Sequence, residues 1–260
     1  MFRYERDPRV GDWLRLRLGP FGPAVGSLVP RGFAAYARVL HPMADEAQRP
    51  VRWAEVAAAT GRVLHPTAQS WRLMRRSAPF GGSWSGPDAV QGSLPELRAV
   101  ARVLGAHTAP DEDLVAAFWE GTSWEGGMML FAWVGEPDGE LPPPRPAPPE
   151  LDPDVLHGPK LGLPHRAYLL FRATPDDLVA LADGQARADV DPFRPGWRTP
   201  NLLWPADHSW CLATEVDLDS TVVGGSRALV GDLLSAADLE VLEVVETDSL
   251  GYDDDRVNAD

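Results

Sequence analysis

The segment from Asn201 to Leu234 carries the largest concentration of side chains that could perform chemistry. Within it, His208 follows Asp207 and lies between two tryptophans. We interpret His208 as the candidate general acid or base, because the pKa of an unperturbed imidazole lies near neutral pH. The alternative interpretation is a histidine in a turn, with its ring packed on a tryptophan.

Three carboxylates follow at alternate positions, namely Glu215, Asp217 and Asp219. A strand over residues 210–219 would place them on one face, roughly 7 Å apart at ~3.4 Å per residue. At that spacing Glu215 and Asp217 could act as a catalytic acid–base pair, or all three could bind a hard divalent cation. The alternative is a solvated strand face opposite arginines of a neighbouring strand.

A glycine-rich turn, Gly224, Gly225 and Ser226, ends the next apolar run and opens a predicted helix. Backbone N–H groups at a helix start, on flexible glycines, can bind an anion such as phosphate or carboxylate. The spacing differs from the dinucleotide-binding and Walker motifs and from the Gly-x-Ser-x-Gly turn of hydrolases. The alternative is that Ser226 is an ordinary helix N-cap.

Three more residues complete the candidate ligand-binding set: Arg31, Trp204 and Trp210. Cys211 could act as a nucleophile near His208, but a position within a strand favours a small, buried, apolar residue. As the one cysteine of the chain, it cannot form an intrachain disulfide. The histidines show neither an H-E-x-x-H motif nor a paired Cys/His spacing, so we predict no metal and no cofactor.

The pattern of apolar residues predicts the elements that position these side chains. Strands are predicted at residues 12–18, 128–134, 167–172, 210–219 and 239–246. Helices are predicted at residues 51–60, 94–106 and 226–234, and another begins at Pro175 after the N-cap Thr174. Residues 19–30 and 71–85 are interpreted as loops, and residues 32–40 fit either a strand or a helix. Without a βαβ rhythm, the expected class is α+β, a mixed or antiparallel sheet with helices packed on it.

The helix at residues 94–106 has the clearest start signal. Ser93 is the expected N-cap and Glu96 its capping-box partner. Spacing of three and four residues predicts that its buried face consists of Leu97, Val100, Ala101 and Leu104.

A proline-rich tract at residues 137–153 interrupts the pattern. Such a sequence cannot form a helix and has few backbone donors for a sheet, which favours polyproline II. We interpret it as a surface insertion in a single domain of residues 1–260, with a linker between two halves as the alternative. The acidic segment 251–260 is expected to be a frayed tail.

Composition and charge argue against several classes of function. The 260 residues carry a formal net charge of −14, which repels phosphate backbones, so nucleic-acid binding is not expected. Ten tryptophans supply large anchors for a core or for ligand contact. The chain shows no apolar signal segment and no run long enough to span a bilayer, so we expect a soluble cytoplasmic protein without membrane contact.

Several segments of the sequence resemble those of a known protein family. They are LVPRGFAAYARVLHP at residues 28–42, RWAEVAAATGRVLHP at 52–66, the stretch 104–119, LPHRAYLLF at 163–171, and NLLWPADHSWCLATEVDLDSTVVGGS at 201–226. Together they resemble a family of uncharacterised proteins from GC-rich actinobacteria. The resemblance covers most of the chain and implies one integrated domain with the proline tract inserted. It implies no activity, cofactor or catalytic residue.

Two functions from different classes follow from these observations. The first is a protein-binding or immunity-type interaction module, whose acidic surface suits a basic protein partner. The alternative is an enzyme, a hydrolase or transferase, that acts on a small anionic substrate within residues 201–226. In that enzyme Gly224, Gly225 and Ser226 would bind the anion, and His208 or Glu215 would transfer the proton. Convergence of His208, Glu215 and an arginine such as Arg31 in one pocket would favour the enzyme. The pattern of residues leaves the oligomeric state open.

Overall fold

The structure is a computed structural model, and it describes residues 2–47, 49–74, 84–86, 96–109, 111–121, 151–185 and 199–259. The strand predicted at residues 128–134, the N-cap predicted at Ser93 and most of the proline-rich tract lie outside the described residues. That the whole chain forms one domain with an insertion therefore stays a prediction.

Among the described residues, nine strands form one antiparallel sheet. They are β1 (Arg3–Glu5), β2 (Ala35–Leu40), β5 (Leu114–Trp119), β6 (Leu161–Leu163), β7 (Arg166–Ala173), β8 (Leu202–Pro205), β9 (Cys211–Thr214), β10 (Ser220–Gly225) and β11 (Val241–Val244). The order across the sheet is β1-β7-β5-β8-β9-β10-β2-β11, and β6 also pairs with β7. A separate two-stranded ribbon consists of β3 (Met43–Ala44) and β4 (Pro50–Val51).

Helices pack on both faces of this sheet, which confirms the α+β class. They are α1 (Asp12–Arg17), α2 (Val25–Leu28), α3 (Trp53–Thr60), α4 (Ser70–Met74), α5 (Leu97–Ala106), α6 (Pro153–Leu156), α7 (Pro175–Gln185) and α8 (Arg227–Ser235). Helices α5, α7 and α8 cover one face, where Leu104, Leu178 and Leu233 share a core. Helices α1 and α2 cover the other face through Leu14 and Val25. A third core, under α3 and α4, packs beside the end of β2.

The segment at residues 32–40, which fits either a strand or a helix, contains strand β2. Its alternate side chains enter different cores, with Ala37 and Val39 on one face and Tyr36 on the other. Strand β2 pairs with β10 along one edge and with β11 along the other. A strand that is buried on both faces has no reason to alternate apolar with polar residues, and its period is therefore hidden in the sequence.

The helix predictions are confirmed except at two starts: α3 begins at Trp53, and α5 begins at Leu97, with Glu96 at its N-cap position and without a side-chain capping bond. Helix α5 buries the predicted face, Leu97, Val100, Ala101 and Leu104. Helix α3 ends at Thr60 and is capped by Gly61, whose φ of 72° is the left-handed conformation that glycine favours. Before α7, Thr174 Oγ1 accepts a hydrogen bond from Asp177 N, and the Asp177 carboxylate accepts one from Thr174 N. Of the helices in the described ranges, none combines the length and apolar character that crossing a membrane requires.

The strand predicted at residues 12–18 is wrong, because Asp12–Arg17 form helix α1. Leu14 is fully buried, whereas Leu16 is 87% exposed, so the alternate leucines do not share a buried face. Residues four apart make the contacts instead, and the Arg17 guanidinium lies 5.6 Å from the ring of Trp13. The segment predicted as a loop at 19–30 contains the short helix α2.

The strand predicted at residues 210–219 is confirmed over Cys211–Thr214 and is wrong beyond it. Strand β9 ends at Thr214, the chain turns, and β10 returns beside it, with Thr221 opposite Thr214. Within the turn, Leu218 N donates to Glu215 O at 3.1 Å. Consequently Glu215, Asp217 and Asp219 do not share one face of a strand. The final predicted strand is confirmed in its centre as β11.

The C-terminal segment is packed, which corrects the prediction of a frayed tail for residues 251–259. The Asp255 side chain is fully buried and accepts hydrogen bonds from His65, Gln69 N and Asn258. Tyr252 stacks on Trp71 with ring centroids 4.5 Å apart. Trp71 belongs to helix α4, so the loop predicted from residue 71 is wrong for its first residues. Acidic composition alone predicts solvation, but here a buried carboxylate with several donors fixes the segment.

Candidate functional site

Two of the candidate catalytic residues, Glu215 and Asp217, meet at an arginine. Arg166 Nη2 donates to Glu215 Oε1 at 2.8 Å and to Asp217 Oδ2 at 3.1 Å. Arg166 begins strand β7, whereas the two acids belong to the turn after β9, and β5 and β8 lie between those strands. The alternative interpretation, a solvated strand face opposite arginines of a neighbouring strand, is correct only in that an arginine faces Glu215 and Asp217, because the two acids lie in a turn and the strand of Arg166 is not a neighbour of β9.

A cavity of about 220 Å³ lies beside these three charged residues. Its floor consists of Tyr168, Leu202 and Ala213, which are buried residues of β7, β8 and β9. The connection between α1 and α2 forms one wall, and the turn between β6 and β7 forms another. The cavity is therefore an apolar recess in the sheet face under α1 and α2, with charges at its rim.

The wall from the α1–α2 connection is held by its own backbone. Gly19 N donates to Gly26 O at 2.6 Å, which closes the connection into a compact loop. Phe21 lies at the tip, 55% exposed, with its ring centroid 4.9 Å from that of His165. His165 adopts a φ of 61° in the turn between β6 and β7. An exposed aromatic ring thus stands at the mouth of the cavity.

The Arg166 guanidinium is largely buried and is packed between aromatic rings. Its side chain is 15% exposed and lies 4.5 Å from the Trp119 ring and 5.7 Å from the Phe21 ring. Burial would lower the pKa of Arg166, but the bond to Glu215 and the nearby acids keep that pKa above its ordinary value. Arg166 is therefore a cation, and the two carboxylates beside it leave the rim with one excess negative charge.

The neutral polar residues that line the cavity include Asn201 and Tyr168. Asn201 is fixed at both ends of its amide, because its oxygen accepts from Trp119 N at 2.8 Å and its nitrogen donates to Thr214 O at 3.2 Å. Burial, with the Glu215 carboxylate nearby, raises the pKa of Tyr168. The Tyr168 phenol therefore stays protonated at neutral pH.

His208, the predicted acid or base, does not line the cavity. It occupies a turn with a φ of 58°, and its ring stacks on Trp13 at a centroid distance of 4.2 Å and an angle of 14°. Burial lowers the pKa of His208 more than the neighbouring Asp207 raises it. The alternative interpretation, a turn histidine packed on a tryptophan, is confirmed.

The glycine turn is a packing feature in this structure. Gly224 and Gly225 lie inside β10, where Gly224 pairs with Tyr36 and with Cys211. A Cβ at Gly224 would lie 2.6 Å from Phe33 Cδ2, so a side chain there would collide with the core. Ser226 Oγ accepts from Leu229 N at 3.1 Å, which confirms the N-cap interpretation.

The other predicted site residues are dispersed. Asp219 binds the fully buried Arg38, Nη2 to Oδ1, at 3.0 Å. Trp204 and Trp210 are buried in cores on opposite faces of the sheet. Cys211 is buried, and burial raises the pKa of its thiol, which confirms the apolar interpretation. Arg31 is exposed and does not line the cavity.

Arg166 and Phe21 are the site residues that the sequence analysis missed. Arg166 and Glu215 are 49 positions apart in the sequence. Periodic patterns of apolar residues predict contacts between near neighbours only, so they do not predict this one. One signal was present in the sequence. Arg166 stands directly before the apolar run 167–171 of a predicted strand, and a charged side chain at a strand end is a candidate for an ion pair.

No metal cluster is found in the described part of the chain, where no three His, Cys, Asp or Glu side chains lie together in a suitable arrangement. Glu215 and Asp217 share the guanidinium of Arg166, and Asp219 contacts that of Arg38, so the three acids are divided between two arginines. The resemblance to actinobacterial proteins stays a prediction. Comparison of the chain with protein-family models, with curated proteins and with solved structures gave no match.

Proposed function

We propose that this protein acts by binding a basic protein partner, as an interaction or immunity-type module of the cytoplasm. The observation that carries the proposal is the rim of the cavity. There, two carboxylates stand beside one guanidinium at the mouth of an apolar recess. Interfaces commonly combine an apolar centre with a charged periphery, and this recess offers both within one contact area.

The charge of the whole chain supports the same proposal. A formal net charge of −14 attracts basic proteins and accelerates their encounter with an acidic surface. Charge of this kind contributes more to association rate and partner choice than to affinity. The apolar recess would supply the affinity.

An enzyme that acts on a small anionic substrate has less support. The three groups assigned to it, His208, Glu215 and Ser226, contact Trp13, Arg166 and the start of α8 respectively. They would have to face one substrate to act on it together. The excess negative charge at the cavity also disfavours an anion there.

The test is capture of a partner from the native host at low salt, followed by measurement with the purified pair. We expect the dissociation constant to rise about tenfold or more between roughly 50 mM and 300 mM salt, because ions screen surface charge. The absence of a partner at low salt, or a partner whose dissociation constant does not change with salt concentration, would contradict the proposal. Cell fractionation tests the cytoplasmic location separately.

A further inference from the structure

We infer that the cavity beside Arg166 binds a guanidinium side chain, supplied by an arginine of the partner protein. The inference rests on the proposed function and names the chemical group that the site would recognise.

The volume indicates one side chain rather than a whole ligand. At about 220 Å³ the cavity is smaller than the ~300–1,000 Å³ of ordinary small-molecule sites. Its floor of Tyr168, Leu202 and Ala213 consists of buried residues from three strands of the sheet. A recess of this size in a sheet face is typical of the pockets that receive a single anchoring residue of a partner.

The walls and the rim of the cavity complement different parts of that residue. Leu28, Leu163 and Leu202 present hydrocarbon, which suits an aliphatic stem. The rim carries Glu215 and Asp217, which suit a cationic end. Arginine and lysine combine a buried hydrocarbon stem with a charged head.

Arg166 does not remove the preference for a cation. Its charge is already matched by Glu215, because Arg166 Nη2 donates to Glu215 Oε1. Val216 N donates to the same oxygen, so the hydrogen bonds of Glu215 converge on Oε1. The Asp217 carboxylate meets Arg166 through Oδ2 and is 78% exposed. Among the described residues, Glu215 Oε2 and Asp217 Oδ1 therefore remain as acceptors for a second cation.

The aromatic ring at the mouth favours arginine over lysine. Phe21 is 55% exposed and stands beside the rim. A planar guanidinium can stack on such a ring while its N–H groups reach two carboxylate oxygens, whereas an ammonium is a compact point charge. Trp119 and Phe21 already flank the guanidinium of Arg166, so a second guanidinium would extend an existing arrangement.

The experiment titrates the full chain with N-acetylarginine N-methylamide and follows backbone amide resonances. The matched control ligand is the citrulline analogue, which has nearly the same shape without the charge. We expect the arginine probe to bind about tenfold more tightly or better, with shifts centred on residues 163–168 and 213–218. Equal binding of the two probes would overturn the inference, and so would tighter binding of the lysine analogue or of butylammonium.

Two variants locate the site. Asp217→Asn and Glu215→Gln should each weaken the arginine probe about two- to fivefold, since each removes one partly exposed partner of the ligand. Asp176→Asn and Glu243→Gln are the controls, because Asp176 lies on α7 across the sheet and Glu243 lies on β11 at the far edge. Equal effects of the site variants and the controls would show that only net charge matters, against the inference.

The partner measurement separates this inference from the proposed function. A partner that binds with full salt dependence, but with unchanged affinity for Asp217→Asn and without competition from the arginine probe, would overturn the inference alone. Specific binding of the arginine probe without any partner at low salt would support the chemistry of the cavity and overturn the proposed function.

Discussion

Two buried tryptophans, Trp204 and Trp210, differ in one hydrogen bond. Both are essentially inaccessible to solvent. Trp210 Nε1 donates to Thr108 Oγ1 at 3.0 Å, whereas the Trp204 indole N–H has no partner among the described residues. A buried donor without a partner costs free energy, and its removal offsets part of the loss of packing.

We therefore predict that Trp210→Phe destabilises the protein more than Trp204→Phe, by about 1 kcal/mol. Both changes remove the same atoms from a packed core, so each serves as the control for the other. Urea unfolding of the two variants measures the difference. Equal losses, or a larger loss at Trp204, would contradict the argument.

Glu96 should make the stability of the protein depend on pH near neutrality. In the described structure its Oε2 is buried without a hydrogen-bond partner, and burial raises the pKa of Glu96 to about 7. The ordinary pKa is 4.5, so between these values the folded protein retains a proton that the unfolded chain has lost. The contribution of Glu96 to the free energy of unfolding is therefore largest below about pH 4.5. It decreases as the pH rises from there through 7.

The Glu96→Gln variant should remove most of that decrease. The effect has an upper limit of roughly 3 kcal/mol between pH 5 and pH 8, from 1.36 kcal/mol per unit of pKa. Urea unfolding of the native protein and the variant at both pH values measures it. The two proteins should differ in slope, and parallel pH profiles would show that Glu96 is solvated.

At this scale the sequence predicts residue types well and contacts poorly. Glu215, Asp217 and His208 were singled out because their chemistry is visible in one residue and its neighbours. Arg166 was missed because its acids are supplied by a distant turn. The preference of His208 for a structural role depends on Trp13, which is remote in sequence.

At the scale of elements, short segments are where periodicity misleads. Helix α1 has six residues, and over that length a period of two and a period of four can share the same leucines. The turn between β9 and β10 was hidden because the alternation of apolar and acidic residues continues through it. The longer helix α5 was predicted correctly, since ten residues sample nearly three turns.

The C-terminal segment is an element held by one buried carboxylate. Burial would raise the pKa of Asp255, but hydrogen bonds from Asn258, His65 and Gln69 N outweigh it and lower that pKa. The stability that this group contributes is present above its ordinary pKa of 3.8 and is lost as the pH falls through the lowered value. Residues 251–259 should therefore detach in acid.

We predict that Asp255→Ala destabilises the protein by about 3 kcal/mol, because it leaves several buried donors without an acceptor. Asp253→Ala is the matched control: its side chain is 82% exposed and lies 3.7 Å from Arg72, so its effect should stay within about 0.5 kcal/mol. Urea unfolding gives both values, and limited proteolysis should cut the tail first in Asp255→Ala. A similar, small effect of both changes would mean that the segment frays after all.

At the scale of the whole molecule, the class of the fold follows from composition and pattern, but the strand order does not. The central strands β8, β9 and β10 follow one another and form hairpins. Strand β2, however, lies between β10 and β11, far from its neighbours in sequence. Which strands become neighbours over such distances depends on the fit of whole faces, and a single sequence does not display that fit.

Arg38 connects the third core, under α3 and α4, to the sheet. Its fully buried guanidinium donates to Ser220 Oγ, to Asp219 Oδ1 and to the carbonyl oxygens of Pro66 and Ala68. Burial lowers the pKa of Arg38, and the Asp219 carboxylate counteracts that effect. Loss of either partner would leave the other as an uncompensated charge in a largely water-free place.

We predict that Arg38→Met costs about 3–5 kcal/mol of unfolding free energy, and that Asp219→Leu costs a similar amount. The double variant should cost clearly less than the sum, because two apolar side chains replace the pair and no isolated charge remains. Urea unfolding of the four proteins gives the coupling energy. Additive losses would mean that Arg38 acts through its carbonyl contacts alone. In that case, hydrogen exchange should increase at residues 67–69 in both proteins that lack Arg38 and stay low there in Asp219→Leu; Ser70 is left out because its N–H donates to Asp219 Oδ2.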